Sequence, residues 1–241
     1  MNNRSFLGNI PPVVKNLLAI NVIMFLASWV LPGVFARMGQ EVNLNDILGM
    51  HYWQSTHFNP AQFITYAFMH GGFFHIFFNM LTLFMFGPIL EHVWGAKKFL
   101  FYYLVAAVGA ALVQQVIWTI EFYPQLAEIT RQIDSNVANA AELLQMKNGF
   151  LSNPDMITIG ASGSVFGLLL AFGWLFPEQV LYIYFIPMKA KYGVFVFGFM
   201  ELFFGVANFS GDNIAHFAHL GGMLFGALLL LYWKKQNRLY K

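Results

Sequence analysis

The chain alternates between long apolar runs and polar connections, a pattern that predicts helices crossing a membrane. A helix needs about 20 mostly apolar residues to span the hydrocarbon core of a bilayer. Several runs approach that length, and the predicted spans cover approximately residues 14–33, 73–92, 98–120, 156–176, 188–208 and 213–233. The sequence therefore predicts an all-α membrane protein with a bundle of six transmembrane helices, in a single domain covering residues 1–241.

The connection between the first two spans, residues 34–72, is too long for a tight turn and is rich in aromatic residues. These residues are Tyr52, Trp53, Phe58, Phe63, Tyr66 and Phe68. Tyr and Trp are enriched at the headgroup level of membranes. We therefore predict that this segment, called the first loop below, lies in the membrane interface.

Composition agrees with this pattern and excludes several classes of function. Hydrophobic residues make up 58% of the chain and charged residues only 10%, whereas soluble domains carry about 25% charged residues. The absence of cysteine excludes disulfides and thiolate chemistry. A net charge of +2 is too small to indicate a nucleic-acid partner.

The distribution of Lys and Arg predicts the orientation, because these residues concentrate in cytoplasmic connections. If the N-terminus is placed inside, the outer segments contain only Arg37, Arg131 and Lys147 of the 13 basic residues. The outer connection 121–155 is acidic, which agrees with this placement. We therefore expect both termini in the cytoplasm.

Polar side chains recur near the outer ends of the three spans that enter the membrane from outside. They are His75 and Asn79 in the second span, Ser162 and Ser164 in the fourth, and His216 and His219 in the sixth. Each pair lies within about two helical turns of the entry point, which is roughly 5–10 Å deep. Such residues supply hydrogen bonds between helices, but agreement in depth on three helices predicts one shared polar site.

Glycines allow these helices to approach each other closely. They are Gly160, Gly163 and Gly167 in the fourth span, and Gly221, Gly222 and Gly226 in the sixth. If the two spans are neighbours, Ser162 can lie beside His219. A serine beside a histidine is a nucleophile beside a general base.

His75 and Asn79 are separated by four residues and therefore share one helix face. Two donors that point at the same position can form an oxyanion hole. Ser164 is the rival nucleophile, but it lies about 200° around the helix from Ser162, so both serines cannot face His219. The pattern therefore predicts a serine-hydrolase site within a membrane.

Other kinds of site receive less support from the sequence. "GASGS" does not match the G-x-S-x-G elbow of α/β-hydrolases, and the HExxH motif of zinc proteases is absent. A metal site built from His70, His75, His216 and His219 stays open, although no acidic ligand or fixed spacing supports it. Glu201 is the acid that lies well inside a span. It either orients a histidine or hydrogen-bonds within the bundle, and we favour the second interpretation. The predicted site is thus a Ser–His dyad without an acid and without a metal or cofactor.

Three motifs in order, "HIFFN" (75–79), "GASG" (160–163) and "AHLGG" (218–222), resemble those of the rhomboid family of intramembrane serine proteases. The resemblance extends from the first span to Gly226. It implies that Ser162 is the nucleophile and His219 the general base. It also implies that His75, Asn79 and the backbone N–H of Ser162 bind the oxyanion.

The resemblance assigns supporting roles to Gly160, Gly163, Gly222 and Gly226, which provide close approach, and to Phe166, which stacks beneath His219. Many members have Tyr at the place of Phe166. A Trp-Arg pair common in the family's first loop is replaced here by Ala61 and Gln62. The fifth span and the segment "NFSGDN" (208–213) resemble the family's lateral gate and cap.

The resemblance implies substrates that are transmembrane or juxtamembrane segments with small, helix-breaking residues at the cleavage site. It also makes a monomer sufficient for catalysis, and the compact layout leads us to expect a bacterial inner membrane. A catalytically inactive, rhomboid-like protein that binds membrane segments is the alternative. A transporter is a third interpretation, but the polar layer lies near one face and no pair of broken helices is evident.

Overall fold

The computed structural model describes residues 10–135, 139–151, 157–183, 186–207 and 214–240, and the structural statements below concern these residues. The helices are α1 (Pro12–Ala36), α2 (Leu44–Leu48), α3 (Gln62–Thr65), α4 (Phe73–Trp94), α5 (Ala96–Ser135), α6 (Ala140–Leu151), α7 (Ser162–Leu175), α8 (Ala190–Ala207) and α9 (His216–Lys235). A 3₁₀ turn covers Tyr66–Phe68, and two short strands precede α8. The prediction of an all-α membrane bundle is confirmed.

Among the described residues, α1, α4, α5, α8 and α9 are long and apolar enough to cross a membrane. The fourth predicted span instead forms the shorter α7, which begins at Ser162 and has 14 residues. At about 1.5 Å per residue it reaches about 21 Å, less than the roughly 30 Å of bilayer hydrocarbon. The predicted start at residue 156 lies outside the described residues, and the count of six transmembrane helices stays a prediction.

Helix α5 continues well beyond its predicted end at residue 120 and reaches Ser135. The described part of the predicted outer connection, residues 121–155, is therefore largely helical, since α6 also lies within it. The physical reason is that this segment is rich in helix-forming residues and still has apolar side chains to bury. Leu126 of α5 and Leu151 of α6 are buried, and the rings of Phe122 and Phe150 meet edge to face at 5.3 Å.

A small antiparallel hairpin, which the apolar pattern does not predict, connects α7 to α8. Strand β1 (Val180–Ile183) pairs with β2 (Ile186–Lys189), with Val180 opposite Lys189. Helix α8 begins directly after β2, two residues beyond the predicted start of the fifth span at residue 188. The predicted end of that span, residue 208, lies outside the described residues.

Helices α5, α7 and α9 form the centre of the bundle, and small residues set their separation. A Cβ atom placed on Gly222 of α9 would lie 1.9 Å from the carbonyl oxygen of Gly163 on α7. A Cβ atom on Gly226 would lie 2.3 Å from the hydroxyl of Tyr102 on α5. Backbone contact of this kind brings the first turns of α7 and α9 side by side.

The first loop is anchored by two buried amide side chains. Gln62 donates hydrogen bonds to the carbonyls of Ile47 and His57 and accepts two more from backbone N–H groups. Gln115 of α5 donates to the carbonyl of His51 at 2.7 Å and accepts from the N–H of Trp53 at 3.0 Å. The loop therefore packs against α5, whereas its depth in the membrane stays a prediction.

Candidate active site

Ser162 is the first residue of α7, and a glycine turn determines where it lies. Gly160 has φ +131°, a conformation that favours glycine. Its N–H donates to the carbonyl of Tyr66 at 2.9 Å, and Tyr66 in turn donates its hydroxyl to the carbonyl of Ala107 on α5 at 2.7 Å. The first loop and α5 thus fix the turn that presents Ser162.

His219 lies in the first turn of α9 and contacts Ser162. Its Nε2 is 2.8 Å from the Oγ of Ser162, a hydrogen-bond distance. The ring of Phe166, one turn after the serine, stacks on His219 with centroids 4.4 Å apart and planes inclined by 6°. The predicted nucleophile, base and stacking residue are therefore together in the structure.

Ser164 faces in another direction from Ser162. It is buried, with 1% of its surface exposed, and its hydroxyl donates to the carbonyl of Tyr103 on α5 at 2.8 Å. A hydroxyl held by a backbone carbonyl in this way contributes to helix packing. The structure therefore separates the two candidate serines by their hydrogen bonds.

His75 and Asn79 lie on α4 at the same site. The Nε2 of His75 faces Gly160 so closely that a Cβ atom on that glycine would lie 2.6 Å away. The Nδ1 of His75 accepts from the N–H of Gly71 at 3.4 Å. Asn79 is buried and donates one amide hydrogen to the carbonyl of His75 at 3.1 Å. One N–H of Asn79 thus bonds back to its own helix, while both side chains line the cavity beside Ser162.

Glu201 of α8 contacts the histidines of α9, so its position supports the role of orienting a histidine, which we did not favour from the sequence. Its Oε2 lies 2.8 Å from Nδ1 of His219 and 2.6 Å from Nδ1 of His216. An isolated acid in an apolar span was visible in the sequence. The rotation of α8 that turns this acid toward α9 was not, because it depends on contacts between helices distant in sequence.

The four histidines considered for a metal do not meet at one point in the described part of the chain. His70 and His75 form one pair, with ring centroids 5.0 Å apart, and His216 and His219 form another at 6.3 Å. The second pair converges with Glu201, so that the three donor atoms lie within 4.8 Å of one another. A site that joins all four histidines is therefore not supported.

A cavity of about 960 Å³ opens beside Ser162. Its lining includes Tyr66, His75, Asn79, Trp118, Glu121, Ser162, Phe204, His216 and His219. Ligand pockets in proteins commonly measure about 300–1,000 Å³. The arrangement thus combines a serine–histidine hydrogen bond with space for an extended peptide segment and water, which is what acyl transfer to a serine requires.

Comparison with known proteins identifies the family. A sequence model of the Rhomboid domain matches residues 57–236. Rhomboid protein 1, mitochondrial, of Saccharomyces cerevisiae is 28% identical over 225 residues, which cover 92% of this chain and 54% of the yeast protein. RHOMBOID-like protein 12, mitochondrial, of Arabidopsis thaliana is 30% identical over 170 residues, covering 68% and 44% of the two chains.

A bacterial relative is similar over nearly its whole length. YdcA of Bacillus subtilis, a protein assigned as a rhomboid protease, is 25% identical over 235 residues, covering 94% of this chain and 92% of YdcA. By contrast, the chain spans about half the length of the two mitochondrial relatives.

Proposed function

This chain belongs to the rhomboid family, and from that premise we propose that it is an intramembrane serine endopeptidase with Ser162 as nucleophile and His219 as general base. The observation that carries the proposal is the distance of 2.8 Å between the Oγ of Ser162 and the Nε2 of His219. The family and the apolar helices make the chain an integral membrane protein. Its activity, substrates and partners belong to the proposal.

The proposed reaction proceeds through an acyl-enzyme. As Oγ of Ser162 attacks the scissile carbonyl carbon, its proton passes to Nε2 of His219. The tetrahedral intermediate collapses, the C–N bond breaks, and the leaving amine takes that proton. Water then attacks the ester carbonyl and gives a proton to Nε2 of His219. In the second collapse the bond from the carbonyl carbon to Oγ breaks, the carboxyl product leaves, and Oγ of Ser162 takes the proton back from His219.

The oxyanion of each intermediate is proposed to bind the backbone N–H of Ser162 together with His75 and Asn79. Ser162 begins α7, and the first N–H groups of a helix have no partner within the helix. Asn79 donates one amide hydrogen to its own helix and has a second. His75 approaches Gly160 from the opposite wall. Donors fixed in advance in this way stabilise charge that develops in the transition state.

The remaining site residues support this geometry in the proposal. Gly160 leaves room for the substrate backbone, and Gly163 leaves room for Ala110 of α5. Gly222 and Gly226 let α9 approach α7 and α5, and Phe166 supports the ring of His219.

The proposed substrates are transmembrane or juxtamembrane segments of membrane proteins, with small, helix-breaking residues at the cut. A carbonyl in an intact helix is shielded by its own hydrogen bond, so the segment must unwind before Ser162 can reach it. We further propose a bacterial inner membrane, cytoplasmic termini, an active site toward the outer side and a monomer sufficient for catalysis. Neither a metal nor a cofactor takes part in the proposed chemistry.

Serine labelling and substrate cleavage test the proposal directly. Wild type, Ser162→Ala, His219→Ala and Ser164→Ala are purified in detergent and incubated with a fluorophosphonate and with a model transmembrane substrate. We expect labelling and cleavage by wild type, their loss in Ser162→Ala and His219→Ala, and retention of both in Ser164→Ala. Equal labelling of Ser162→Ala and wild type would refute the assignment of the nucleophile.

The same experiment separates the protease from an inactive rhomboid-like binder. A binder would capture the transmembrane segment without cleaving it, and its Ser162 would not react with the fluorophosphonate. This outcome would favour the alternative function over the protease.

A further inference from the structure

The carboxylate of Glu201 joins α8 to the reacting histidine on α9. It accepts hydrogen bonds from Nδ1 of both His219 and His216, and its side chain is only 14% exposed. A carboxylate is an acceptor only, so each Nδ1 carries a proton when these bonds form. In a neutral imidazole this leaves Nε2 of His219 unprotonated, and that atom is the one facing the Oγ of Ser162.

The distances favour hydrogen bonds over a metal in this cluster. Ligands at about 2.0–2.1 Å from a tetrahedral zinc ion lie roughly 3.3 Å from one another. The separations of 2.6 and 2.8 Å between Oε2 of Glu201 and the two Nδ1 atoms are shorter and match charge-assisted hydrogen bonds. The three side chains therefore already satisfy one another.

We propose that Glu201 is a positioning residue, which holds His219 in the tautomer and ring orientation needed to accept the proton of Ser162. His216 supplies a second hydrogen bond that fixes the same carboxylate oxygen. The arrangement Ser162–His219–Glu201 has the order of contacts found in serine-hydrolase triads. This inference rests on the proposed protease function and adds a dependence on the position of α8.

That dependence follows from how weakly α8 is packed within the protein. In its most apolar stretch of 18 residues only 11% are buried, the lowest share among the five long helices of the described residues. Its buried residues, Ala190 and Gly193, lie at its beginning, about 12–16 Å along the helix axis from Glu201. The carboxylate therefore reaches His219 only while this part of α8 rests on α9, and displacement of α8 removes it.

Replacement of Glu201 by Gln tests the positioning role, since the side chain keeps its size and loses its charge. In Glu201→Gln we expect the rate of fluorophosphonate labelling of Ser162 to fall at least about tenfold. General acid–base catalysis contributes about 10²–10⁴-fold in total, which sets the scale. We expect kcat for the transmembrane substrate to fall similarly while KM changes less than about twofold. A labelling rate equal to that of wild type would overturn the inference.

Histidine NMR provides a readout that a merely structural role of Glu201 would not move. In protein labelled with ¹⁵N-histidine, the wild-type signal of His219 should show Nδ1 protonated and Nε2 unprotonated. The signal is assigned by its disappearance in His219→Gln. In Glu201→Gln we expect a mixture of tautomers, and an unchanged spectrum of His219 would contradict the inference.

His216 provides a matched comparison, because it binds the same oxygen of Glu201 but does not contact Ser162 in our proposal. His216→Gln should lower the labelling rate less than Glu201→Gln does. An equal or larger loss would show that the carboxylate acts through His216, and would overturn the positioning role.

A pair of glycine substitutions on α8 tests the dependence on docking. A Cβ atom on Gly205 would lie 3.1–3.2 Å from the ring of Phe217 and the Cβ of His216, which cannot easily move. A Cβ atom on Gly198 would meet only the flexible end of Met223, at 3.3 Å. We therefore expect Gly205→Val to lower the labelling rate and Gly198→Val to leave it within about twofold.

The double variant Gly205→Val/Glu201→Gln should label no more slowly than Glu201→Gln alone, because both changes remove the same contact. Additive losses, or an unaffected Gly205→Val, would contradict the dependence on α8.

Two outcomes separate this inference from the proposed function. If wild-type Ser162 does not label at all, the protease proposal itself fails. If wild type labels and cleaves but Glu201→Gln is equally active, only the role of Glu201 fails. Loss of wild-type activity in EDTA that is restored by Zn²⁺ would also overturn the inference, since it would assign the three side chains to a metal.

Discussion

Two serines separated by a single residue have different environments in this protein. Ser164 donates a hydrogen bond to the carbonyl of Tyr103, so its hydroxyl is satisfied inside the bundle. Ser162 is the first residue of α7 and has the imidazole of His219 as its hydrogen-bond partner. A buried hydroxyl without a partner costs free energy, and these two partners explain both side chains. The difference arises because residues two apart on a helix point in nearly opposite directions.

His70 lies near the end of the first loop, just before α4, and its burial makes the stability of the protein sensitive to acid. Burial, and secondarily the neighbouring His75, lower the pKa of His70 from 6.5 to about 3. Below about pH 6.5 the unfolded chain therefore binds a proton that the folded protein does not, and the free energy of unfolding decreases as the pH is lowered. For this one residue the loss at pH 5 amounts to about 2 kcal/mol.

We predict that His70→Phe reduces the loss of stability between pH 7 and pH 5 by about that amount. Thermal or denaturant unfolding in detergent at the two pH values measures it. His92→Phe is the control, because His92 is exposed at the end of α4. An equal change in both variants would contradict the role of burial.

At the scale of helices, the contact between α7 and α9 depends on the absence of side chains. Gly222 approaches the backbone of Gly163 so closely that no Cβ atom fits between them. The same contact sets the distance between Ser162 and His219, which lie in the first turns of these helices. Packing and the geometry of the candidate site therefore share one set of residues.

We predict that Gly222→Ala forces α7 and α9 apart, lowers stability by about 2 kcal/mol or more and abolishes labelling of Ser162. Gly33→Ala is the matched control, since Gly33 lies within α1 and a Cβ atom there would meet nothing within 4 Å. Unfolding midpoints and fluorophosphonate labelling measure the two effects. Retained labelling in Gly222→Ala would show that the helices tolerate the separation.

The bounds of the predicted spans agree with the helices of the structure at some positions and differ at others. The second span was predicted at 73–92, and α4 covers Phe73–Trp94, because Gly72 and Gly95 lie at its ends. Residues 157–161 of the predicted fourth span are not helical in the structure, although the apolar run includes them. Thr158 forms a β-bridge with Met50 of the first loop, and Gly160 has a positive φ.

At the scale of the whole molecule, the first loop connects the candidate site to the bundle. The amide of Gln62, at the start of α3, makes four hydrogen bonds that hold the loop together. The carbonyl of Tyr66 at the end of this loop accepts from Gly160. Folding of the loop is thereby coupled to the turn that presents Ser162.

We predict that Gln62→Leu destabilises the protein by about 2–4 kcal/mol, because it leaves buried backbone groups without partners. Cleavage of the first loop by an added protease should accelerate, and labelling of Ser162 should slow. Gln54→Leu makes the same substitution at an exposed position of the loop and should change neither. If the two variants behave alike, the amide of Gln62 does not anchor the loop.

The sequence by itself determined the membrane class, most of the long helices, the family and the residues that meet at the candidate site. These features depend on apolar runs, glycine spacing and short motifs, which are local in the chain. Only the tertiary structure decided the contact of Glu201 with both histidines, the extension of α5 and the hydrogen bonds of Gln62 and Gln115. Each of these depends on how helices and loops distant in sequence rotate and pack against one another, which no local pattern encodes.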